Sequence, residues 1–175
     1  MGVIKFGLKI LGTHVITFIV QIALMPALFG IWQDKELYQW LIGLLYIGVF
    51  WLIIYADVSY ASQNDIKRGR YYPSKGFISG LIASIPDIIL YLLAMAFVSQ
   101  EPNYFEVALR VWLVPYIKIF TTFTDAMPAV AIAPILIFPI LCGLSYLDGP
   151  RRRKKILDAI EKSESMRAEK SKVRN

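Results

Sequence analysis

The sequence predicts an all-α integral membrane protein with four transmembrane helices, both termini cytoplasmic, and a basic cytoplasmic C-terminal tail. Three observations predict this fold class. First, 57% of the 175 residues are hydrophobic and the mean hydropathy is +0.53, whereas soluble domains are usually just under half apolar. Second, the apolar residues lie in blocks of roughly 20 residues, enough to cross a bilayer as helices. Third, the basic residues are concentrated between and after these blocks.

The apolar blocks define one membrane domain, residues 1–150, which is followed by the tail, residues 151–175. The predicted spans are residues 10–31, 38–58, 76–98 and 127–147. Lys5 and Lys9 precede the first block, as they would in a signal peptide. Because that block extends to about Trp32 without a convincing cleavage site, we expect an uncleaved first span.

The stretch between the third and fourth spans, residues 104–124, has two possible placements. It is long enough to cross the membrane, but it contains Glu106, Arg110, Pro115 and Lys118. A fifth crossing would place the N-terminus and the basic tail on opposite sides of the membrane. The sequence therefore favours an interfacial or re-entrant helix here, with a true fifth span as the alternative.

The distribution of Lys and Arg predicts the orientation. The N-terminus carries two, the loop 59–75 carries four and the tail carries ten, so sixteen of the nineteen lie on one side of a four-span topology. Lys and Arg are retained on the cytoplasmic side, which predicts a multi-pass protein of a bacterial-type cytoplasmic membrane. The tail has a net charge of +6, equal to that of the whole chain. The basic character is therefore a property of the tail and does not indicate a nucleic-acid partner.

Basic residues at the predicted cytoplasmic surface are expected to contact anionic lipids. These residues are Lys67, Arg68, Arg70, Lys75, Arg151, Arg152, Arg153, Lys154 and Lys155. A nucleotide site in the loop 62–75 is a weaker alternative, because no Gly-rich phosphate loop is present. In the tail, Ile156, Leu157 and Ile160 form an apolar stripe at helical spacing, which predicts a helix that lies on lipid or on a cytosolic partner.

The third span contains a single acid, Asp87, in the sequence SIPDIIL directly after Pro86. A charged side chain at the bilayer centre costs about 2.5–3.5 kcal/mol on insertion scales. Gly76, Gly80 and Ser84 recur every fourth residue and predict a helix-packing strip. In a continuous helix Asp87 would lie about 20° from both glycines, so it is expected to face protein.

Two interpretations of Asp87 remain open. It could form a proton or cation site with the Ser84 hydroxyl and with the Ile82 carbonyl that the following proline frees. Alternatively, a protonated Asp87 could form a hydrogen bond that only joins two helices. Gln21 lies at matching depth in the first span and is its expected partner, and Tyr46 is a second candidate.

A second candidate pair lies nearer the cytoplasmic side. His14 and Asp57 would reach similar depth on antiparallel helices, where they could relay protons or hydrogen-bond each other. Cys142 is the only cysteine, so neither an intramolecular disulfide nor a cysteine zinc site is expected. We expect no metal, cofactor or catalytic group, because Asp57 and Asp87 differ in depth and no Cys/His signature surrounds Cys142.

Together these observations predict a small, non-catalytic subunit or accessory component of a membrane complex. Its expected partners are the bilayer, anionic lipids, and other membrane subunits or a second copy bound through the third span. The alternative is a small proton- or cation-coupled transporter or channel that uses Asp87, with Gln21 and His14 as further candidate groups.

Overall fold

The structure, a computed structural model, describes residues 2–30, 35–123 and 127–174, and among these no strand occurs. The helices are α1 (Val3–Gly30), α2 (Glu36–Lys67), α3 (Lys75–Ala83), α4 (Ile85–Ala96), α5 (Tyr104–Trp112), a 3₁₀ turn (Val114–Tyr116), α6 (Ile117–Thr122) and α7 (Met127–Arg174). The all-α prediction is therefore confirmed.

Three helices are long and apolar enough to cross a membrane: α1, α2 and the part of α7 from Ala129 to Met166. The pair α3 and α4 makes a fourth if the two are one span bent by 43°. Large apolar side chains cover the outside of the bundle; Ile16, Leu52 and Leu136 are 66%, 68% and 60% exposed. Soluble proteins rarely expose apolar surface on this scale, so the fold is compatible with a multi-pass membrane protein.

The third apolar block is not one continuous helix, which corrects the geometry expected from the sequence. Pro86 lies in the first turn of α4 and has no backbone N–H. The chain turns at Ser84, whose amide donates to the carbonyl oxygens of Gly80 (2.9 Å) and Leu81 (3.2 Å). Because of this bend, the rotation calculated for Asp87 on a straight helix does not apply.

The tail begins without a break from the fourth block. The helix α7 continues through Pro134, Pro139 and Pro150 to Arg174. At its exit from the bundle, Gly149 lies so close to Ser62 of α2 that a Cβ on this glycine would collide with the serine side chain. The predicted boundary at residue 150 therefore falls within one helix, between the part that packs in the bundle and the part that extends beyond it.

Residues 104–122 turn back inside the bundle. The first arm, α5, runs antiparallel to α4: the Asn103 amide donates to the Ala94 carbonyl at 2.9 Å, and the rings of Phe97 and Phe105 stack at 5.1 Å. Pro115 then ends the α-helical pattern, because it has no N–H to donate.

The second arm of this segment, α6, returns to the end of the bundle from which α5 started. There the Lys118 ammonium donates to Gln39 Oε1 at 3.1 Å, near the start of α2. We call the end of the bundle with Lys9, Asp65 and Arg152 the basic end. The end with Gln39 and Lys118 is the opposite end. The two arms therefore form a helical hairpin that enters and leaves at the same end.

The hairpin divides the interior into two apolar clusters. The cluster towards the basic end joins α1, α2, α3 and α7 through Phe6, Ile10, Phe50, Ile54, Val58, Ala83, Phe138, Cys142 and Tyr146. The other cluster packs the hairpin against α4 and α7 through Ala94, Leu109, Leu113, Tyr116, Phe120, Ala131 and Ile135. Trp51 packs against both clusters, so the tip of the hairpin lies at mid-bundle, where they meet.

Candidate functional site

The candidate site is the group of buried side chains around Asp87 at the tip of the hairpin. Asp87 is in the first turn of α4 and is 1% exposed. The indole Nε1–H of Trp112, the last residue of α5, donates a hydrogen bond to Asp87 Oδ1. An indole can only donate, and a buried one requires an acceptor. This contact therefore ties the hairpin tip to the broken span.

His14 lies on the other side of the same indole. It is part of the inward stripe of α1, whose buried positions recur at helical spacing, and it is 1% exposed. Its ring centroid lies 5.0 Å from that of Phe50, 5.1 Å from Trp112 and 5.5 Å from Phe138. Both ring nitrogens are buried, and neither completes a hydrogen bond to the described residues. The site is thus an acid and an imidazole separated by a tryptophan inside an aromatic shell.

Gln21, the expected partner of Asp87, is engaged elsewhere. Its Nε2 donates to the Tyr46 carbonyl at 2.8 Å, and the Tyr46 hydroxyl donates back to the Gln21 carbonyl at 3.2 Å. These two bonds join α1 to α2. Gln21 and Tyr46 therefore bond to each other rather than to Asp87, and Gln21 Oε1 is buried without a hydrogen bond to the described residues.

Ser84 and Asp57 also have other partners. The Ser84 hydroxyl donates back to the Gly80 carbonyl at 3.0 Å, within its own helix end. Asp57 forms an ion pair with Lys9 and accepts a 3.0 Å hydrogen bond from Thr13. The structure does not bring His14 to Asp57, because the imidazole packs against the rings of Phe50, Trp112 and Phe138.

The glycines of the third block pack against α7 of the same chain. A Cβ on Gly76 would collide with Tyr146 Cβ, and one on Gly80 would come within 2.8 Å of Cys142 Cβ and of Pro139 Cα. The predicted helix-packing strip thus brings two helices into close contact. A second copy cannot use this face, because α7 already occupies it.

Lys75, which the sequence predicts as an anionic-lipid contact, is buried in an ion pair in the structure. Lys75 is 4% exposed, and its ammonium lies 2.5 Å from Asp65 Oδ2. The Tyr146 hydroxyl donates to the same carboxylate oxygen at 2.9 Å, and the Phe6 ring lies under the ammonium at 5.7 Å. This cluster joins α1, α2, α3 and α7 at the basic end. Residue spacing along the sequence does not predict this cluster, because its members come from four separate segments.

The other predicted lipid contacts lie at the surface of the basic end. Lys67, Arg68, Arg70, Arg151, Arg152, Lys154 and Lys155 are exposed, and Arg153 is half-buried. Arg152 is held in place, because its Nε lies 3.3 Å from Asp148 and its guanidinium 4.4 Å from the centre of the Tyr55 ring.

Metal-ligating side chains are dispersed in the part of the chain that the structure describes. No group of three or more His, Cys, Asp or Glu side chains there is close enough to hold a metal ion. Comparison with protein-family models, with curated proteins and with solved structures finds no match for the chain.

Trp112 is the functional side chain that sequence reasoning missed. It lies in the segment 104–124, whose charged residues and Pro115 dominate the sequence pattern. A tryptophan in an apolar stretch that also contains a helix break needs an acceptor, and Asp87 was the one acid known to lie deep in the bundle. An indole that needs an acceptor and an acid predicted to lie deep in the bundle are together the signal that could have identified the Trp112–Asp87 contact.

Replacement of Trp112 by Phe should lower the free energy of unfolding by about 2 kcal/mol, because a buried acceptor loses its donor. The phenyl ring retains the contacts with His14 and Phe18. The measurement is SDS-induced unfolding in mixed micelles, followed by circular dichroism. The double variant Trp112→Phe/Asp87→Leu should recover at least half of the loss, since both partners are then apolar. Unchanged stability of the single variant would show that the hydrogen bond contributes nothing.

Proposed function

We propose that this chain is a four-span protein of the cytoplasmic membrane, with both termini in the cytoplasm, that serves as a non-catalytic subunit or accessory component of a membrane complex. Asp87 then has a structural role: it holds the hairpin 104–122 inside the bundle through Trp112. The observation that carries the proposal is that the Gln21 amide N–H, the Ser84 hydroxyl and the Asp57 carboxylate, from three of the other four candidate groups of an ion site, bond elsewhere.

The orientation is supported by the two ends of the bundle. The N-terminal lysines, the loop after α2 and the first turns of the tail lie at the basic end, where Lys9 pairs with Asp57 and Arg152 pairs with Asp148. By the positive-inside rule this end faces the cytoplasm. The hairpin 104–122 would then be re-entrant from the external side, which agrees with helices too short to cross and with a tip at mid-bundle.

The tail supports an interaction role at the cytoplasmic surface. It continues α7 beyond the bundle, starts with five consecutive basic residues, and exposes Ile156, Leu157 and Ile160 by 48–52%. Each basic residue near an anionic surface contributes about 1 kcal/mol. Anionic lipids and membrane subunits, including a second copy through a face other than the glycine strip, are the proposed partners.

One observation favours a second candidate, a proton- or cation-coupled transporter or channel. Both nitrogens of His14 are buried without a hydrogen bond, and Trp112 connects this imidazole to Asp87 through a ring contact and a hydrogen bond. Intramembrane ionisable groups often mark proton paths.

The experiment that separates the two candidates is flux in proteoliposomes. The purified chain is reconstituted in vesicles that contain a pH-sensitive dye, and a potassium gradient with valinomycin drives proton entry. We expect no flux above that of empty vesicles for the parent or for Asp87→Asn, and we expect the parent in native membranes to migrate in a complex much larger than 19.9 kDa. Flux in the parent that Asp87→Asn abolishes would overturn the accessory role.

A further inference from the structure

A cavity of about 510 Å³ lies at the opposite end of the bundle, between α1, α2 and α6. Its apolar walls include Met25, Phe29 and Ile117, and its polar lining groups are Gln39, Lys118 and Thr121. A single cation among such walls is the chemistry of a site for an anionic amphiphile.

Lys118 is held in a defined position in this cavity. Its ammonium donates to Gln39 Oε1 at 3.1 Å and lies 5.6 Å from the centre of the Trp40 ring. Its stem passes over Gly43, where a Cβ would lie only 2.7 Å from Lys118 Cβ. The glycine therefore makes room for the lysine, and the amide and the indole direct its charge.

The charge of Lys118 has no carboxylate counterpart among the described residues. In contrast, Lys9, Lys75, Arg110 and Arg152 each pair with an Asp or Glu. A half-buried ammonium beside apolar walls is stabilised strongly by an anion, because the surroundings screen its charge poorly. The lipid headgroup layer is a source of anions at this level of a membrane protein.

We infer that this cavity binds an anionic phospholipid, with the headgroup phosphate at Lys118 and part of an acyl chain between Met25, Phe29 and Ile117. The inference rests on the membrane embedding in the proposed function, because only then do lipids surround this end. A phospholipid fits better than a free anion, since most of the lining is apolar and would gain nothing from inorganic phosphate. The gap between α1 and α6 would thereby be filled by lipid.

The test is native mass spectrometry of the purified protein titrated with phosphatidylglycerol or with phosphatidylcholine. For Lys118→Gln we expect about fivefold weaker binding of the first phosphatidylglycerol, with little change for phosphatidylcholine. Lys154→Gln, which removes one exposed charge at the basic end, should change binding less than twofold. Gly30→Leu is a second variant that fills the cavity without altering charge, because a Cβ there meets nothing within 4 Å, and it should weaken binding as well.

Equal effects of Lys118→Gln and Lys154→Gln would overturn the site in favour of general charge attraction. Displacement of the lipid by inorganic phosphate alone would overturn the phospholipid assignment in favour of a free-anion site. If the protein bound no lipid of either class and did not insert into vesicles, the membrane assignment itself would be wrong. Loss of all lipid binding is distinguishable from failure of the site alone, because binding of phosphatidylcholine would then be lost as well.

Discussion

Replacement of Lys75 by Met should be the most destabilising single change considered for this protein, with a loss of about 3–5 kcal/mol in the free energy of unfolding. The ammonium of Lys75 is the cation paired with Asp65 at 2.5 Å, and both side chains are nearly inaccessible. Replacement of Lys75 leaves the Asp65 carboxylate buried without its counter-charge. The measurement is again SDS-induced unfolding in mixed micelles, followed by circular dichroism.

Two controls separate this effect from a general loss of positive charge. Lys67→Met removes an exposed cation at the same end and should change stability by less than about 0.5 kcal/mol. The double variant Lys75→Met/Asp65→Asn removes both charges and keeps an acceptor for the Tyr146 hydroxyl, so it should recover most of the loss. If Lys75→Met were no worse than Lys67→Met, the buried cluster would not contribute to folding and Lys75 would again be a candidate lipid contact.

The second large effect is expected for Gly80→Val, which should cost about 3 kcal/mol by overpacking. Even a methyl group at this position would lie 2.8 Å from Pro139 Cα. A backbone atom cannot move aside without shifting α7 as a whole. The expected result is therefore separation of α3 from α7 and early unfolding in the same assay.

Gly12→Val is the matched control for this glycine. A Cβ at Gly12 meets nothing within 4 Å, so the same substitution in another membrane helix should change stability by less than about 0.5 kcal/mol. A shared loss in both variants would indicate that valine is unfavourable in these helices generally. Only a loss confined to Gly80→Val supports the close approach of the two helices.

Hydrophobic block length was sufficient to predict the helical class, because the need to satisfy backbone polar groups in lipid leaves few alternatives. The glycines were also predictable as packing positions, since small residues at four-residue spacing lie on one helix face. For residues 104–124 the charges and Pro115 favoured an interfacial or re-entrant helix over a straight crossing, but they did not predict the two short arms of the hairpin. These properties are local, and each can be read within one segment.

The partners of the polar side chains could not be predicted in the same way. Depth along the helix suggested Gln21 for Asp87, but hydrogen bonding also depends on how each helix is rotated about its axis. In the structure the third block is bent by 43° at Ser84, and Asp87 accepts its hydrogen bond from Trp112 of the hairpin. A residue pattern within one segment does not predict how that helix is rotated about its axis relative to its neighbours.

The sequence by itself determined the class of this protein, the positions of its apolar helices and the concentration of positive charge in one tail, because these depend on composition and spacing alone. The tertiary structure decided that Asp87 bonds to Trp112, that Lys75 is buried with Asp65, and that Lys118 stands beside an apolar cavity. The physical reason is that hydrogen bonds and ion pairs act over about 3 Å. Contacts of that length are set by helix bends and rotations that only packing determines.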